Sequence, residues 1–382
     1  MQYRPYGSNG FETSVFGMGC MRPPMKVAED GTEVIDREEY IRMIRYAADH
    51  GVTYFDTAYV YCGGDSERMV GEALSEGGRR EKVKIATKCP VWLAENKQDL
   101  WRMFEEECEK LQTQFIDVYL LHSLDKEHLE QAEKAGCFEF LDELKAAGRI
   151  GVAAFSFHDD YDLFCHILDR YDGWGMCQMQ LNVIDTDYQA TLAGMRKAAE
   201  RGLAVVIMEP LRGGMLARVP GPVQAIYDAA STRRSPAEWA FRFMYNFPEV
   251  SVILSGVSNM EQLQDNLAIF DKAEANVMDE AEQAMFARVK AYFDDQIRVR
   301  CTGCAYCMPC PQGVKIPDLF SGYNRASMFD AWDDAHTEYA GRMKKGEGTA
   351  DLCVQCGACE AECPQHLPII ELLQQVHADM AP

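Results

Sequence analysis

The chain has 382 residues, of which 47% are hydrophobic and 26% charged, so it holds enough material for one large globular domain and a smaller one. Its net charge of −22 sets it against phosphate backbones and anionic lipid surfaces and excludes nucleic acid and membranes as partners. The start, Met1-Gln2-Tyr3-Arg4-Pro5, lacks a basic-then-apolar leader, and no apolar run reaches the about 18 residues of a membrane span, so the cytoplasm is the expected location.

From about residue 14 to 270, short β-branched runs alternate with helical patterns. Predicted strands are 14–19, 53–57, 83–88, 116–122, 150–156, 176–182, 204–209 and 252–255. Their apolar character suits strands covered on both faces. Helical spacing falls at 37–50, 99–111, 138–147, 189–201 and 236–245, with a further helix over 280–293. Gly51, Gly148 and Gly202 close three of these as left-handed caps, and Ser235-Pro236 opens another. Eight strands alternating with helices over this length predict a (β/α)8 barrel. A doubly wound sheet is the alternative, but no G-x-G-x-x-G follows the first strand. Residues 1–295 are assigned to the barrel, with 21–33 and 216–234 as loops at its mouth. Residues 296–382 form a second, helix-rich domain, since Leu319, Phe320, Tyr323, Phe329, Trp332 and Tyr339 give the stretch between its cysteines helical bulk.

That domain carries two cysteine runs. Cys301, Cys304, Cys307 and Cys310 precede Pro311; Cys353, Cys356, Cys359 and Cys363 precede Pro364. The second run fits C-x2-C-x2-C-x3-C-P, the spacing that wraps an iron–sulfur cube with three thiolates and sends the fourth to another cube. The first run is one residue short before its last cysteine, so two 4Fe-4S clusters are expected and one cluster with spare thiols is the fallback. Disulfides are disfavoured in a reducing compartment, and zinc is the rival metal. The other cysteines are scattered and read as small buried hydrophobes.

In such a barrel chemistry sits at the C-terminal strand ends. Those ends hold Asp56, with Tyr61 just after it, then Lys88, His122, Ser156, Gln178, Asn182, Glu209, and Ser255-Gly256. Four of them make a proton-delivery set. A phenol of pKa about 10 is too weak an acid at neutral pH unless a cation such as Lys88 stabilises its anion. Asp56 would keep that cation charged, and His122 would orient a carbonyl oxygen.

The strings Asp56-Thr57-Ala58-Tyr59-Val60-Tyr61, Ala86-Thr87-Lys88, Leu120-Leu121-His122, Ser66-Glu67 and Met208-Glu209-Pro210-Leu211 resemble the signatures of aldo-keto reductases over about residues 1–270. The tail from Cys301 to Pro311 is similar to that of a subgroup with ferredoxin-like C-termini. The resemblance implies Tyr61 as general acid, Lys88 and Asp56 as its tuners, and His122 as carbonyl orienter. It implies NADP(H) or NAD(H) as cofactor and a small carbonyl or alcohol as substrate. Ser156 and Gln178 would hold the carboxamide, although Phe157 replaces an expected Asn. Met208 would pack on the nicotinamide, Leu211, Gly213 and Gly214 would line the pyrophosphate, and Ser255, Gly256, Ser258, Gln262 and Asn266 would surround the adenosine end. Gly256 and Gln262 stand where many relatives carry cations for a 2′-phosphate. The ferredoxin analogy groups Cys301, Cys304 and Cys307 with Cys363, and Cys353, Cys356 and Cys359 with Cys310. Hydride moves as an electron pair and clusters move single electrons, so the clusters are either structural or linked to a redox partner such as ferredoxin, with an unrecognised flavin as a further option. A competing reading makes the chain an electron-transfer or interaction protein on a barrel scaffold.

Overall fold

The computed structural model describes residues 1–301, 303 and 305–381. Contacts divide it into two compact units: Met1–Ala217 with Arg234–Gln283, and Arg218–Arg233 with Ala284–Pro382. No helix among the described residues is long and apolar enough to cross a membrane.

In the first unit eight parallel strands close into a barrel. They are β1 (Phe16–Gly19), β2 (Tyr54–Asp56), β3 (Lys84–Cys89), β4 (Ile116–Leu124), β5 (Ile150–Phe157), β6 (Trp174–Gln180), β7 (Ala204–Met208) and β8 (Val250–Ser255). β8 returns to β1 through Ile253↔Phe16 and Leu254↔Gly17, which closes the cylinder. Side chains alternate across each strand and so sort into two cores. Tyr54, Ala86, Val118, Leu120, Ala154, Met176, Val206 and Val252 fill the interior. The positions between them, such as Phe55, Ile85, Tyr119, Phe155, Cys177 and Ile207, pack outward in the larger core shared with the helices.

The barrel floor is sealed by the chain's start. Strands Tyr3–Pro5 and Glu12–Ser14 pair as a hairpin. Tyr6, which follows the first of them, is fully buried, stacks on Phe11 and donates to the Tyr54 hydroxyl at 3.1 Å. Arg4 holds the seal by donating to the carbonyls of Phe247 (2.9 Å), Val250 (2.8 Å) and Tyr245.

Helix boundaries follow their caps. Asn96, Asp160, Ser235 and Asn259 each accept a backbone N–H of the first turn that follows. Two segments expected to be loops hold regular structure instead. Residues 21–33 feed a hairpin of Met25–Val27 against Glu33–Ile35, and 216–234 contains the helix Gly221–Asp228. Strand six ends at Gln180, short of Asn182. Asn182 instead anchors a turn, its Oδ1 accepting from Ile184 N and Asp185 N at 3.0 Å each.

The second unit is helical. Helices Ile316–Phe329, Trp332–Lys345 and Ile369–Met380 pack around Leu319, Phe320, Tyr323, Tyr339, Leu373 and Val376. Asn324 ties down the segment before the first cysteine run. Its Oδ1 accepts from Arg298 N (2.9 Å) and Val299 N (2.8 Å), and its Nδ2 donates to Val299 O (2.7 Å).

One close approach fixes the helix that follows Tyr61. On helix Ser66–Leu74, a Cβ at Gly71 would stand 2.4 Å from the carbonyl oxygen of Lys110, at the end of helix Lys97–Leu111. Gly71→Ala should therefore cost about 1–3 kcal/mol through overpacking. A lowered Tm of the full chain checks this; an unchanged Tm would show that the two helices separate freely.

Candidate active site

Two residues beyond each interior side chain, the same face of the strand reaches the C-terminal mouth. Tyr54 leads to Asp56, Ala86 to Lys88, Leu120 to His122, Ala154 to Ser156, Met176 to Gln178 and Val206 to Met208. The apolar floor and the polar mouth are thus one register read at two heights.

Lys88 and Asp56 are almost wholly buried, and Lys88 Nζ lies 2.6 Å from Asp56 Oδ1 and 2.7 Å from Thr57 O. The ammonium sits over the Tyr61 ring, 4.8 Å from its centroid. His122 meets that ring edge-on at 5.7 Å. The structure therefore brings Asp56, Tyr61, Lys88 and His122 together. Tyr61 comes from a short turn in which Cys62, Gly63 and Gly64 take left-handed backbone (φ 56°, 65° and 92°). Hydroxyls pin the root of that turn: Thr57 Oγ1 and Ser66 Oγ are 2.8 Å apart, and Ser66 Oγ donates to Cys20 O at 2.6 Å.

Burial decides the ionisation of the group. It pushes the Tyr61 phenol up, and the Lys88 ammonium offsets only part of that rise. The Lys88 contribution has the expected downward sign, but desolvation outweighs it, and Tyr61 holds its proton through the neutral range. Burial alone would push Lys88 down, but the Asp56 carboxylate and the phenol outweigh it and hold the ammonium above its usual value. Burial also raises the Asp56 carboxyl, with Lys88 opposing. His122 is pushed down to about 2 by burial and then by the Lys88 charge, so it is a neutral imidazole.

Beneath the tetrad lies a network absent from the sequence reading. Glu67, fully buried, accepts from Thr87 Oγ1 at 2.5 Å and pairs with Lys110 at 3.0 Å. Tyr119 donates to buried Glu107 at 2.7 Å, and burial followed by the nearby Glu67 drives the Glu107 carboxyl well up. Trp92 was also missed; it lies against His122 (5.3 Å) and stacks on His128 (4.9 Å). Its signal was its place, immediately past β3 at Cys89-Pro90-Val91.

The residues assigned to a dinucleotide fall in two groups. At the mouth, Ser156 Oγ accepts from Ser123 N at 2.7 Å. Gln178 Nε2 faces the Met208 sulfur at 3.9 Å, and its Oε1 is buried without a partner, as is His122 Nδ1. Buried polar atoms left unmatched on β4 and β6 at the mouth fit a ligand carrying its own donors and acceptors. Beyond β7, Leu211 precedes Gly213 and Gly214, both left-handed (φ 68° and 97°), and no atom stands within 4 Å of a Cβ placed on Gly214. Beyond β8, Ser255 Oγ accepts from Asn266 Nδ2 at 2.8 Å, and Gln262 Oε1 accepts from Ser258 N at 2.9 Å, so these four brace one another beside Gly256.

In the second unit the cysteines line two cavities. One, of about 160 Å³, is bounded by Cys307, Cys310, Cys353, Cys356 and Cys359. The other is bounded by Cys301, Cys307 and Cys363. Cys304 lies outside the described residues. Thiols spread around a cavity fit a larger inorganic cube.

Residues 17–283 match the aldo/keto reductase family over most of the chain. The chain belongs to that family. Residues 300–368 match a 4Fe-4S dicluster domain, so this aldo-keto reductase carries an iron–sulfur domain at its C-terminus. Its sequence is 34% identical over 168 residues to the aldo-keto reductase YhdN of Bacillus subtilis, a match spanning 41% of this chain and 48% of that one. It is 28% identical over 267 residues to the 9,11-endoperoxide prostaglandin H2 reductase of Trypanosoma cruzi, covering 69% and 84%. The barrel is shared with the holo form of an aldo-keto reductase from Bacillus halodurans (TM-score 0.63, 23% identity, 75% of this chain and 96% of that one). It is likewise shared with a Klebsiella pneumoniae aldo-keto reductase solved with NADPH (TM-score 0.60, 22% identity, 76% and 96%).

The depressed His122 carries a signature in stability. Its folded value lies below the ordinary 6.5, so as pH falls the unfolded chain takes the proton first. The stability held by neutral His122 is full above 6.5 and drains away as pH descends toward about 2. His122→Asn should flatten the fall of Tm between about pH 6 and 4; equal slopes in the two proteins would show that His122 is protonated within the fold.

Proposed function

We propose that the barrel reduces a small carbonyl substrate, or oxidises the matching alcohol, with a nicotinamide dinucleotide. The observation that supports this most directly is the Tyr61 ring set against the buried Lys88 ammonium and the His122 imidazole, with burial holding the phenol's pKa up. A bound dihydronicotinamide would supply a hydride to the carbonyl carbon. Tyr61 gives its proton to the carbonyl oxygen and recovers one from solvent after the alcohol leaves. Lys88 stabilises the phenolate left behind, and Asp56 keeps Lys88 charged and fixed. His122, being neutral, keeps an N–H to aim at the oxygen without adding a second positive charge. Ser156 and the unmatched Gln178 Oε1 would hold the carboxamide, with Met208 against the ring and Gly213-Gly214 under the pyrophosphate. The dinucleotide is NADP(H) or NAD(H); the Klebsiella pneumoniae relative was solved with the former.

In the tail, Cys310, Cys353, Cys356 and Cys359 would hold one 4Fe-4S cluster, and Cys301, Cys304, Cys307 and Cys363 a second. Both cavities mix cysteines from the two runs, which supports the crossed arrangement. The clusters would fasten the tail's loops and, through the exposed Cys356 edge, exchange single electrons with a redox partner such as ferredoxin. Such chemistry fits the cytoplasm.

Tyr61→Phe should abolish reduction of simple aldehydes and quinones by NAD(P)H while cofactor affinity stays within about twofold. Retained turnover would remove Tyr61 from the mechanism. Anaerobically purified protein should hold about eight iron and eight sulfide per chain, falling by about half in Cys356→Ser; about four in the parent protein would leave a single cluster.

A further inference from the structure

We propose that Tyr339 is a positioning residue for the second cysteine run, and that its hydroxyl governs one cluster of the tail and not the other. The cluster in question is the one Cys353, Cys356 and Cys359 would share with Cys310, so the proposal rests on the cluster reading given above. Tyr339 belongs to helix Trp332–Lys345, and its hydroxyl works in two directions. It accepts from Ala350 N at 3.0 Å and lies 3.0 Å from His377 Nδ1, on helix Ile369–Met380. Burial pushes the phenol up, so the hydroxyl keeps its proton and donates it to that nitrogen. The Ala350 carbonyl in turn accepts from Cys353 N at 3.1 Å. Two hydrogen bonds in series thus lead from a helix-borne phenol to the first cysteine of the run.

Other side chains anchor the rest of the tail's loops. Asn324 holds the backbone of Arg298 and Val299, just before Cys301. At the far end of the second run, Glu360 Oε1 accepts from Ile370 N at 2.9 Å, and Glu360 O accepts from Cys363 N at 3.3 Å. Cys301 and Cys363 line the cavity that Cys353 does not. Removing the Tyr339 hydroxyl therefore frees the root of Cys353 while the thiols of the other cavity keep their own supports. Partners behind a ligand set its position, and their loss typically weakens metal binding by about 10–100-fold. The competing explanation is that the Tyr339 ring, 1% exposed, merely fills the core around Tyr323 and Val376. That explanation calls for no selective effect when the hydroxyl alone is taken away.

Iron release separates the two. The full chain, purified without oxygen, is exposed to air and a ferrous chelator, and chelated iron and cluster absorbance are followed with time. Tyr339→Phe keeps the ring. It should speed the loss of about half the iron by about tenfold or more and leave the other half at the parent rate. The accelerated half should be the one absent from Cys356→Ser, so in the double variant Tyr339→Phe with Cys356→Ser the remaining iron should leave at the parent rate. Identical release curves for the parent and Tyr339→Phe proteins overturn the proposal. So does equal acceleration of all the iron, which marks a general loosening of the tail. If the parent protein holds no iron at all, the cluster reading itself fails and takes the role of Tyr339 with it.

Discussion

A buried ion pair organises the mouth of this barrel. Asp56 and Lys88 come from neighbouring strands, and both are nearly sealed from water. Neither charge is tolerable there alone, because stripping an ion of water costs several kcal/mol or more and only the partner returns it. The pair is satisfied to the extent that the backbone also contributes, through the Thr57 carbonyl. That requirement fixes the C-terminal ends of β2 and β3 against each other. The ammonium so held lies over one face of the Tyr61 ring, and its field adds to the burial that keeps His122 from charging. One electrostatic necessity thus ties Asp56 to Lys88 and bears, alongside burial, on the ionisation of Tyr61 and His122.

The support behind the pair is itself ionic. Thr87, next to Lys88, donates to Glu67, which pairs with Lys110. Glu67 sits at the head of the helix that follows the Tyr61 turn, and Gly71 on that helix lets it lie directly against Lys110 and Leu111. The turn bearing the phenol is braced by hydroxyls at its root and by a buried charge pair just beyond it. Precision at Tyr61 comes from packing of this kind rather than from the turn, whose left-handed residues leave it little regular bonding of its own.

Much of this was legible in the chain. All eight barrel strands lie where β-branched runs placed them, because doubly covered parallel strands have nowhere to hide polar residues. For the same reason a charged residue interrupting such a run, as at Asp56 or Lys88, marks the C-terminal end of its strand. The hairpin at Met25–Ile35 was illegible: its residues are mostly exposed and carry no alternation to betray a strand. Glu67 entered only through the Ser66-Glu67 string, and Glu107 and Lys110 gave no signal, since periodicity does not reveal that two helices clamp them. The net rise at Tyr61 was illegible for a related reason, because a neighbouring cation can be guessed from a motif while depth of burial cannot. In the tail, spacing alone left Cys310 ambiguous, whereas the fold lines one cavity with Cys310 and the second run.

The seal on the barrel floor has a bearing on how the protein is made. Arg4 and Tyr6 precede every barrel strand in the chain, yet Arg4 is held by carbonyls at Tyr245, Phe247 and Val250, and Ser251 reaches back to Pro5. The cork must wait for its bottle until β8 has left the ribosome. Until then the inward faces of seven strands have no lid at their lower end, and closing a loop of that length is slow. Nascent chains stalled before strand eight should be the ones that chaperones find and proteases cut.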